Sequence, residues 1–451
     1  MINTADDLAQ KPISKLLWQY SLPSIIAMVV NAIYNVVDRI FISNYVGEAA
    51  FSGLTVAFPL MLIIFSFANL VGIGGVSLFA IELGKQEIKK ANHIFANTLE
   101  LALIVDIIIV LLGIVFVKPL LIISGGANLE IFNYAQSYFK IILFGFIFQM
   151  FSFTLMGFVR TENHPRLAMK TMLVSAITNI VMDFVLIVIL DLKVEGAAIA
   201  TVLGQASGLL LLVFSFYLPK KSVVSWNLAA FKFDYKLMFQ IILIGFSAFV
   251  SVLGASFSAL VLNNFLYQYG GDEAIAAMGA INSLFTFFIM PTDGIVQALQ
   301  PIIGYNYGAR LYERVKKTLK LGLVINIIFA TFVFIAYEGF PEFFMGLFLN
   351  KESASLTKGI IALRLYMLSI PLLGINMVSV GYFQAIAKAK VAFIIGILRP
   401  VVFLIPLVLI LPSYFGLNGV WLAQPITDYL AIICAVIPLY LSYKSLGVST
   451  F

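Results

Sequence analysis

Long apolar stretches, separated by short polar or basic segments, run along the whole chain of 451 residues. A membrane-spanning helix needs about 20 consecutive, mostly apolar residues. Twelve stretches are long enough, and they lie near 15–45, 49–82, 92–117, 129–157, 167–190, 196–218, 236–267, 274–303, 318–337, 357–385, 391–411 and 418–441. The pattern therefore predicts an all-α polytopic membrane protein with twelve transmembrane helices.

The composition agrees with a membrane protein. Hydrophobic residues make up 61% of the chain and charged residues only 11%, whereas soluble domains are typically about 45–50% apolar. Residues 1–11 carry two acids and no apolar core, so we do not expect a cleavable signal peptide. The single cysteine, Cys434, cannot form an intramolecular disulfide.

The distribution of Lys and Arg predicts the orientation. With the N-terminus inside and twelve spans, twenty of the 28 basic residues lie on the inner side and seven on the outer side. The remaining one, Arg399, lies within a span. Positive residues are retained on the cytoplasmic side, so we expect a cell (inner) membrane protein with both termini in the cytoplasm. The net charge of +6 follows from this topology and requires no nucleic-acid partner.

The two halves of the chain repeat weakly at an offset of 224 positions. This shift places Gly84 on Gly308, Gly47 on Gly271, Ala50 on Ala274 and Gly157 on Gly381. Six spans per half is an even number, so the halves enter the membrane from the same side as parallel 6+6 repeats. We predict an N-terminal lobe over 1–218, a basic cytoplasmic linker over 219–236 and a C-terminal lobe over 237–451.

Three polar side chains of the N-terminal lobe lie at one predicted depth. Counting the helix rise, Asp38 lies roughly 13 Å from the outer turn at Gly47, and Asp183 roughly 12 Å from Asp191. Asn179, four residues before Asp183, shares its helix face. A carboxylate in hydrocarbon costs about 2.5–3.5 kcal/mol, and two close together require a shared cation or proton. The pattern therefore predicts an ion-coupled transporter.

These residues also have structural interpretations. Asp38 could pair with Arg39, and Asn179 could join two helices by a hydrogen bond. Successive residues of a helix point about 100° apart, which disfavours the Asp38–Arg39 pair, and two polar groups on one face of segment five favour a site. Asn31 and Tyr34 share a face with Asp38 and are candidates for a cavity or polar network.

Several motifs together resemble those of bacterial multidrug and toxic compound extrusion (MATE) transporters. They are Ser21-Leu22-Pro23 followed by Asn31, Tyr34, Asp38 and Gly47, then Gly72-Ile73-Gly74-Gly75, Glu82-Leu83-Gly84-Lys85 and Val194-Glu195-Gly196-Ala197-Ala198. Their order and spacing cover nearly the whole chain. The sequence looks most like the prokaryotic branch grouped with DNA-damage-inducible efflux proteins, and the resemblance implies a V-shaped pair of six-helix lobes.

The resemblance also implies a cation or proton site in the N-terminal lobe. Matched by motif, its ligands are Asp38, Asn179, Asp183 and Thr201, with the carbonyl of Ala197 as a further ligand. Oxygen ligands suit Na⁺, and crowded carboxylates can equally hold a proton, so the coupling ion is Na⁺ or H⁺ and no other cofactor is expected. Tyr138 reaches a depth comparable to that of Asp38 and Asp183 and is a weaker fifth candidate, as a cavity or network residue. Pro23 matches a proposed hinge of the first segment, although membrane helices also tolerate proline.

The second lobe contains its own intramembrane charges. Asp293 and Arg399 reach a similar level, which suggests a buried salt bridge, with substrate binding as the alternative for Asp293. Asp106, in the third segment of the N-terminal lobe, and Asp428, in the last segment of the chain, also lie within predicted spans and could snorkel, pair or line a cavity. Some branches of the family carry acids in segments seven and ten, but both segments lack Asp and Glu here. We therefore do not expect ion coupling through this lobe.

The favoured function is secondary active multidrug efflux of organic, mainly cationic compounds in exchange for Na⁺ or H⁺. The alternative is a lipid-linked precursor flippase of the same superfamily, which needs a cationic cavity, whereas only Arg399 is basic within the predicted spans. An enzyme is not expected, because His93 and His164 both fall in loops and no nucleotide-binding motif is present. The expected partners are small-molecule substrates and membrane lipid, with the protein acting as a monomer.

Overall fold

The structure is a computed structural model that describes residues 6–124, 129–224, 232–349 and 354–447. Within these ranges the chain forms helices joined by short turns, and no strand occurs. Part of the predicted linker, residues 225–231, lies outside the described residues, as does Lys351 of the predicted outer side. A short helix, Asp6–Gln10, precedes the first span.

The N-terminal half contributes six long helices. They are α1 (Ile13–Phe41), α2 (Glu48–Gly84), α3 (Ile88–Ile123), α4 (Leu129–Thr161), α5 (Pro165–Asp183) and α6 (Lys193–Leu212). Each helix is apolar over a length that can cross a bilayer. The turns between them are short, so successive helices run in opposite directions.

The C-terminal half repeats this arrangement. Its helices are α7 and α8 within Tyr235–Gly308, α9 (Tyr312–Gly339), α10 (Ala354–Met367 and Ile370–Ala385), α11 (Ala389–Ile397 through to Leu404–Ile410) and α12 (Pro412–Ser445). Gly271 has a left-handed φ of 63° and interrupts the helical backbone, which divides α7 (235–270) from α8 (272–308). A further short helix, Pro341–Met345, follows α9.

The number of spans agrees with the sequence pattern. Ten helices are long and apolar enough to cross a membrane, and the two parts of α10, bent by 48°, form an eleventh candidate. Division of Tyr235–Gly308 at Gly271 brings the number within the described residues to twelve. The prediction of an all-α polytopic membrane protein with twelve spans is therefore confirmed.

Among the residues that the structure describes, four helices contain or continue into a π-helical turn. These turns are Ile42–Val46 after α1, Phe184–Ile189 after α5, Val213–Tyr217 after α6 and Leu398–Phe403 within α11. Single π-helical turns shift the register of a helix and are frequent at functional sites. One directly follows Asp183 and another contains Arg399, so two of them lie at intramembrane charges.

The buried apolar side chains form three clusters, which show where the halves meet. The first includes Leu8 and Leu446, near the two ends of the described chain, and combines residues of both halves. We call this end of the bundle the terminal end. The second cluster lies almost wholly in the N-terminal half, and the third lies in the C-terminal half. The halves therefore pack together at the terminal end and separate towards the opposite end.

A pair of glycines brings α2 and α8 into backbone contact at the terminal end. A Cβ atom at Gly84 would overlap the carbonyl oxygen of Tyr305, and one at Gly308 would overlap the carbonyl oxygen of Ile81. Both the glycines and the residues they contact are related by the 224-position offset of the repeat. The two helices thus cross as a symmetric pair, and this crossing closes the terminal end.

Candidate functional site

The structure brings together four of the predicted ion-site residues, which we call the ion cluster. Asp38 lies on α1, Asn179 and Asp183 lie on α5, and Thr201 lies on α6; α5 packs against both other helices. Asn179 Nδ2 donates to Thr201 Oγ1 at 3.5 Å. The carboxylates of Asp38 and Asp183 interact electrostatically, and their residues are only 7% and 0% exposed. Residues far apart in the sequence therefore share one buried site.

A close contact between α5 and α6 positions the ion cluster. A Cβ atom at Gly204 would lie 2.7 Å from the carbonyl oxygen of Ser175 and 3.0 Å from the Cβ atom of Asn179. The Ser175 hydroxyl donates in turn to the Gly204 carbonyl at 2.6 Å. Small residues allow membrane helices to approach this closely. Because Gly204 has no side chain, α5 and α6 can approach closely enough for Asn179 to lie beside Thr201.

Several oxygens of the ion cluster lack a hydrogen-bond donor among the described residues. They are Asp38 Oδ1, Asn179 Oδ1 and both carboxylate oxygens of Asp183. An unsatisfied buried polar atom costs about 1–3 kcal/mol, and more when it is charged. Arg39 forms no ion pair with Asp38 in the described ranges; its guanidinium lies 4.9 Å from the ring centre of Phe58. The ion cluster therefore has the free acceptor oxygens that a cation or proton would require.

Two further predicted residues adjoin the ion cluster. Tyr138, on α4, is 2% exposed, lies close to Thr201 and interacts electrostatically with Asp38 and Asp183. Ala197 is buried one helical turn before Thr201. Its carbonyl points along the helix axis towards Thr201, and a carbonyl oxygen keeps a second lone pair after one hydrogen bond. Tyr138 thus joins the ion cluster, and Ala197 supplies a backbone oxygen at its edge.

The donor set suits a hard cation or a proton. Two carboxylates, an amide oxygen and a hydroxyl are hard oxygen ligands. Across the part of the chain that the structure describes, no group of three or more His, Cys, Asp and Glu side chains could hold a metal ion. Any ion bound by the ion cluster must therefore use the mixed set of Asp38, Asp183, Asn179 and Thr201.

A cavity of about 470 Å³ lies between the two halves, beside the ion cluster. Asn179 and Thr201 line this cavity, whereas the buried Asp38 and Asp183 do not. The predicted cavity residues Asn31 and Tyr34 also line it. Two residues of the ion cluster therefore belong to the cavity wall as well.

Flexible apolar and uncharged polar side chains dominate the cavity wall. Six methionines line it, namely Met28, Met156, Met169, Met172, Met290 and Met377, together with five glutamines and only three aromatic residues. Methionine side chains adapt to differently shaped ligands. The volume lies within the range of about 300–1,000 Å³ that is typical of small-molecule sites. The cavity can therefore accept molecules of varied shape.

Pro23 lies within α1 and lines the cavity. The helix continues through it, but proline has no N–H to donate to the carbonyl of Gln19, four residues earlier. This missing hydrogen bond is the local feature that a hinge would use. The hinge role of Pro23 stays a prediction.

The predicted salt bridge between Asp293 and Arg399 is wrong. Arg399 Nε lies 2.6 Å from Oδ1 of Asp428, and Asp428 Oδ2 accepts from the Ser369 hydroxyl at 2.5 Å. Asp293 lines the cavity and forms no ion pair or hydrogen bond with any described residue. The π-helical turn that contains Arg399 changes the register of α11, an effect that equal depth in the sequence does not capture.

Arg160 is a cavity residue that the predicted spans do not reveal. The fourth apolar segment ends at 157 in the sequence pattern, but α4 continues beyond Arg160, which lines the cavity. Its Nη1 donates to Gln297 Oε1 on α8, and its Nε donates to the Met156 carbonyl at 3.3 Å. The expectation that Arg399 is the only basic residue within the spans is therefore wrong. The apolar pair Phe158-Val159 continues the fourth segment, and this feature of the sequence could have predicted that Arg160 lies within the helix.

Comparison with known proteins identifies the family of the chain. The MatE family model matches residues 23–185 and 247–410. The two matches begin 224 positions apart, which equals the offset of the internal repeat. Both matched stretches include residues of the site: Asp38, Asn179 and Asp183 in the first, and Asp293 and Arg399 in the second.

Similar proteins extend the match to the whole chain. The multidrug export protein MepA of Staphylococcus aureus (strain MRSA252) is 28% identical over 442 residues, which cover 98% of this chain and 96% of MepA. A crystal structure of MATE in complex with MaL6 superposes with a TM-score of 0.93 at 25% identity, covering 100% of both chains. An outward-facing multidrug resistance MATE family transporter of the MOP superfamily has a TM-score of 0.92 at 25% identity, covering 100% of this chain and 99% of the transporter. The DNA-damage-inducible branch stays a prediction. The chain is a multi-pass membrane protein that belongs to the MatE family.

Proposed function

We propose that this protein is a secondary active antiporter that exports organic compounds in exchange for Na⁺ or H⁺. The observation that carries the proposal is the contact between the ion cluster and the cavity. Asn179 and Thr201 belong to both, so occupancy of the ion cluster can change the wall of the cavity. The name of MepA, a multidrug export protein similar over nearly the full length, supports the same function.

The buried carboxylates supply the coupling. When the ion cluster is empty, Asp38 and Asp183 repel each other, because both are buried and neither has an ion-pair partner among the described residues. A bound cation or proton removes this repulsion and the desolvation cost of the charges. An ion that binds one arrangement of the halves more tightly than another shifts the population towards it. The inward movement of the ion thereby drives the outward movement of the substrate.

The orientation follows from charge. The terminal end carries the first and last described residues, Asp6 and Gly447, and the described parts of the basic loops. We therefore propose, from the positive-inside rule, that this end faces the cytoplasm of the cell membrane. Because the halves are packed together at that end, the structure then corresponds to an outward-open state. Labelling of single cysteines at positions 47 and 193 from outside intact cells tests this topology. Labelling within 310–317 instead would contradict it.

The charge of the cavity favours efflux over the flippase alternative. A flippase for lipid-linked pyrophosphate needs a cationic cavity. Here Arg399 is paired with Asp428, and the remaining guanidinium, Arg160, is offset by the carboxylate of Asp293, which lines the same cavity. The ionisable side chains of the wall therefore give no net positive charge.

Transport by purified protein in proteoliposomes tests the proposal. We expect export of fluorescent organic compounds under an imposed Na⁺ or H⁺ gradient, with each gradient applied separately and collapsed by its own ionophore as the control. Each cavity is built by one chain, so we propose that the monomer is the transporting unit. The absence of transport under both gradients, together with scrambling of a lipid-linked pyrophosphate, would favour the flippase instead.

A further inference from the structure

The turns of the structure repeat the internal symmetry of the sequence. Four residues of the first half that have a left-handed φ correspond to residues of the second half that also have one. The pairs are Gly47 and Gly271, Gln86 and Arg310, Asn163 and Ala387, and Lys193 and Gly416. The offset is 224 positions for the first three pairs and 223 for the last. Helix α5 therefore corresponds to α11, and α6 corresponds to α12.

The second half does not repeat the ion cluster at the same level. The counterparts of Asp38, Asn179, Asp183 and Thr201 at these offsets are Leu262, Phe403, Leu407 and Gln424. Three of these counterparts are apolar, and both carboxylates are replaced by leucine. Gln424 alone is polar.

A charged pair lies one helical turn away from these counterparts. Arg399 precedes Phe403 by four residues on α11, and Asp428 follows Gln424 by four residues on α12. Helix α11 begins at the terminal end and α12 ends there, so both displacements point towards the terminal end. Gln424 Nε2 donates to Asp428 Oδ1 at 3.2 Å. We call Arg399 and Asp428 the paired site, which joins the counterparts of α5 and α6.

The carboxylate of the paired site is neutralised within the protein. Arg399 Nε lies 2.6 Å from Asp428 Oδ1, and the hydroxyl of Ser369, at the bend of α10, donates to Oδ2 at 2.5 Å. The Asp428 side chain is 1% exposed, whereas that of Arg399 is 24% exposed and lines the cavity. In contrast, three of the four carboxylate oxygens of Asp38 and Asp183 lack a donor in the described ranges.

The backbone around Arg399 is held in place by a neighbouring helix. Arg399 lies in the π-helical turn Leu398–Phe403, and the carbonyl of Pro400 in this turn accepts from the Ser258 hydroxyl on α7. A Cβ atom at Gly254 would lie 3.0 Å from the Pro400 ring, so α7 and α11 approach closely here. A guanidinium is not deprotonated in proteins. Arg399 is therefore a cation that can neither dissociate nor lose its charge.

We propose that Arg399 is a tethered cation, which takes the place of the coupling ion in the C-terminal half and confines ion exchange to the ion cluster. This inference rests on the proposed antiport function and assigns the coupling to one of two related halves. Arg399 neutralises Asp428 permanently, whereas an exchangeable ion neutralises Asp38 and Asp183 only while it is bound. Only the ion cluster can therefore bias the two states of the transporter by gaining or losing an ion. Arg399 is a positioning residue for the coupling, and Asp428 is a latent ion site.

Removal of the tethered cation should create a second ion site. In Arg399→Gln the buried carboxylate of Asp428 loses its charged partner, and Na⁺ or a proton should stabilise the folded protein in its place. All variants carry Asp38→Asn and Asp183→Asn, which remove the response of the ion cluster itself. Thermal unfolding of purified protein is measured with Na⁺ varied at fixed pH, and with pH varied in the absence of Na⁺.

The double variant Arg399→Gln/Asp428→Asn isolates the effect of the carboxylate. At an ion concentration about 100-fold above the dissociation constant, we expect the melting temperature of Arg399→Gln to rise by about 2–4 °C relative to the double variant. Arg399→Lys keeps the positive charge and should show no such rise. Arg166→Gln, exposed on α5, is the matched control for loss of a guanidinium and should show none either.

Two outcomes would overturn the tethered cation. The first is an equal ion response in Arg399→Gln and in the double variant. The second is an ion response in protein with Arg399 intact that disappears in Asp428→Asn, because the paired site would then already exchange ions. The second comparison does not require Arg399→Gln to fold. The expected melting behaviour in a protein that transports nothing under either gradient would support the tethered cation and contradict the antiport function.

Discussion

At the scale of single residues, the ion cluster differs from the other intramembrane charges in its lack of partners. Arg399 and Asp428 form a satisfied pair, whereas Asp183 has two oxygens without a hydrogen-bond partner in the described ranges. A buried charge of this kind is stable only when an ion or a proton neutralises it. The carboxylates of the ion cluster therefore require a bound cation or proton to neutralise them, because no side chain among the described residues does so.

Removal of either carboxylate charge in the ion cluster should uncouple transport. We expect Asp38→Asn and Asp183→Asn each to lower gradient-driven efflux at least about tenfold, because a loss of about 1.4 kcal/mol in ion affinity already gives that factor. Both changes keep the side-chain size, so expression and thermal stability should stay near those of the wild type. Efflux from proteoliposomes, with thermal unfolding in parallel, measures both quantities.

Asp106→Asn is the matched control for these variants. Asp106 is a buried carboxylate on α3 with one unsatisfied oxygen, but it lies outside both the ion cluster and the cavity wall. Its replacement should leave coupling intact. Normal coupling in a stable Asp38→Asn or Asp183→Asn protein would refute the assignment of the ion cluster.

The sequence identifies some of these residues better than others, for physical reasons. Asp38, Asn179 and Asp183 stand out because polar groups are rare in apolar helices. Arg160 does not stand out, since it follows the predicted end of a span and basic residues at helix ends are common. The partner of Arg399 also depends on how helices are rotated about their axes, which depth in the sequence does not specify.

At the scale of helices, the contact between α5 and α6 determines the geometry of the ion cluster. We expect Gly204→Ala to push α6 away from Asn179 and to lower ion-driven transport, with a loss of stability of about 1–3 kcal/mol from overpacking. Thermal unfolding and efflux in proteoliposomes measure the two effects. Gly279→Ala on α8, where a Cβ atom would meet nothing within 4 Å, is the control. Equal behaviour of the two variants would show that the close contact is unimportant.

The turn between α4 and α5 holds the start of the linker through a buried carboxylate. Glu162 is 1% exposed and accepts from the Ser222 hydroxyl at 2.8 Å and from the Val223 backbone N–H at 2.6 Å. Burial raises the pKa of Glu162 from 4.5 to about 7, against the opposing effect of these hydrogen bonds. The carboxyl is therefore protonated in the folded protein at pH values where it is ionised in the unfolded chain.

This shift gives stability a defined pH dependence. Because the folded pKa is raised, the stabilising contribution of Glu162 is fully present below pH 4.5 and is lost as the pH rises through about 7. The shift corresponds to at most about 3 kcal/mol. We expect Glu162→Gln to reduce the fall in melting temperature between about pH 5 and pH 8. The exposed Glu87→Gln should retain the wild-type profile, and an unchanged profile in Glu162→Gln would contradict the prediction.

The helices were predictable from their apolar length, but the irregularities within them were not. All twelve apolar segments correspond to helices, since each must satisfy its backbone hydrogen bonds inside the membrane. The π-helical turn after Asp183 and the bend between Met367 and Ile370 leave no trace in the hydropathy pattern. They depend on packing against neighbouring helices.

At the scale of the whole molecule, the sequence predicts the internal repeat, but it does not predict which end of the bundle is closed. The 224-position offset pairs Gly84 with Gly308, and these two glycines make the symmetric contacts between α2 and α8. An alternating-access transporter buries similar side chains in both of its states, so the sequence pattern does not reveal which end is closed. The distribution of the buried apolar clusters shows that the terminal end is the closed one.

The N-terminal segment ties the two halves together at the closed end. On one side, Asn163 donates to Asp7 at 2.8 Å. On the other side, Arg314 of α9 donates to the carbonyls of Leu8 at 2.8 Å and of Lys11 at 2.7 Å. The segment therefore bridges the two halves. Access from the terminal end requires at least one of these two sets of contacts to break.

Loss of this bridge should shift the protein towards the state that is open at the terminal end. We expect Arg314→Gln to favour opening by about 1–2 kcal/mol, since it removes charged hydrogen bonds, which is a shift of about 5–30-fold in the ratio of states. Asp7→Asn should act in the same direction from the other half.

Spin labels at positions 89 and 317, in a Cys434→Ser background, measure the separation of the halves at this end. Lys320→Gln, exposed on the same helix as Arg314, is the control and should leave the distance distribution unchanged. An unaltered distribution in both Arg314→Gln and Asp7→Asn would mean that the glycine crossing of α2 and α8 alone holds the end closed.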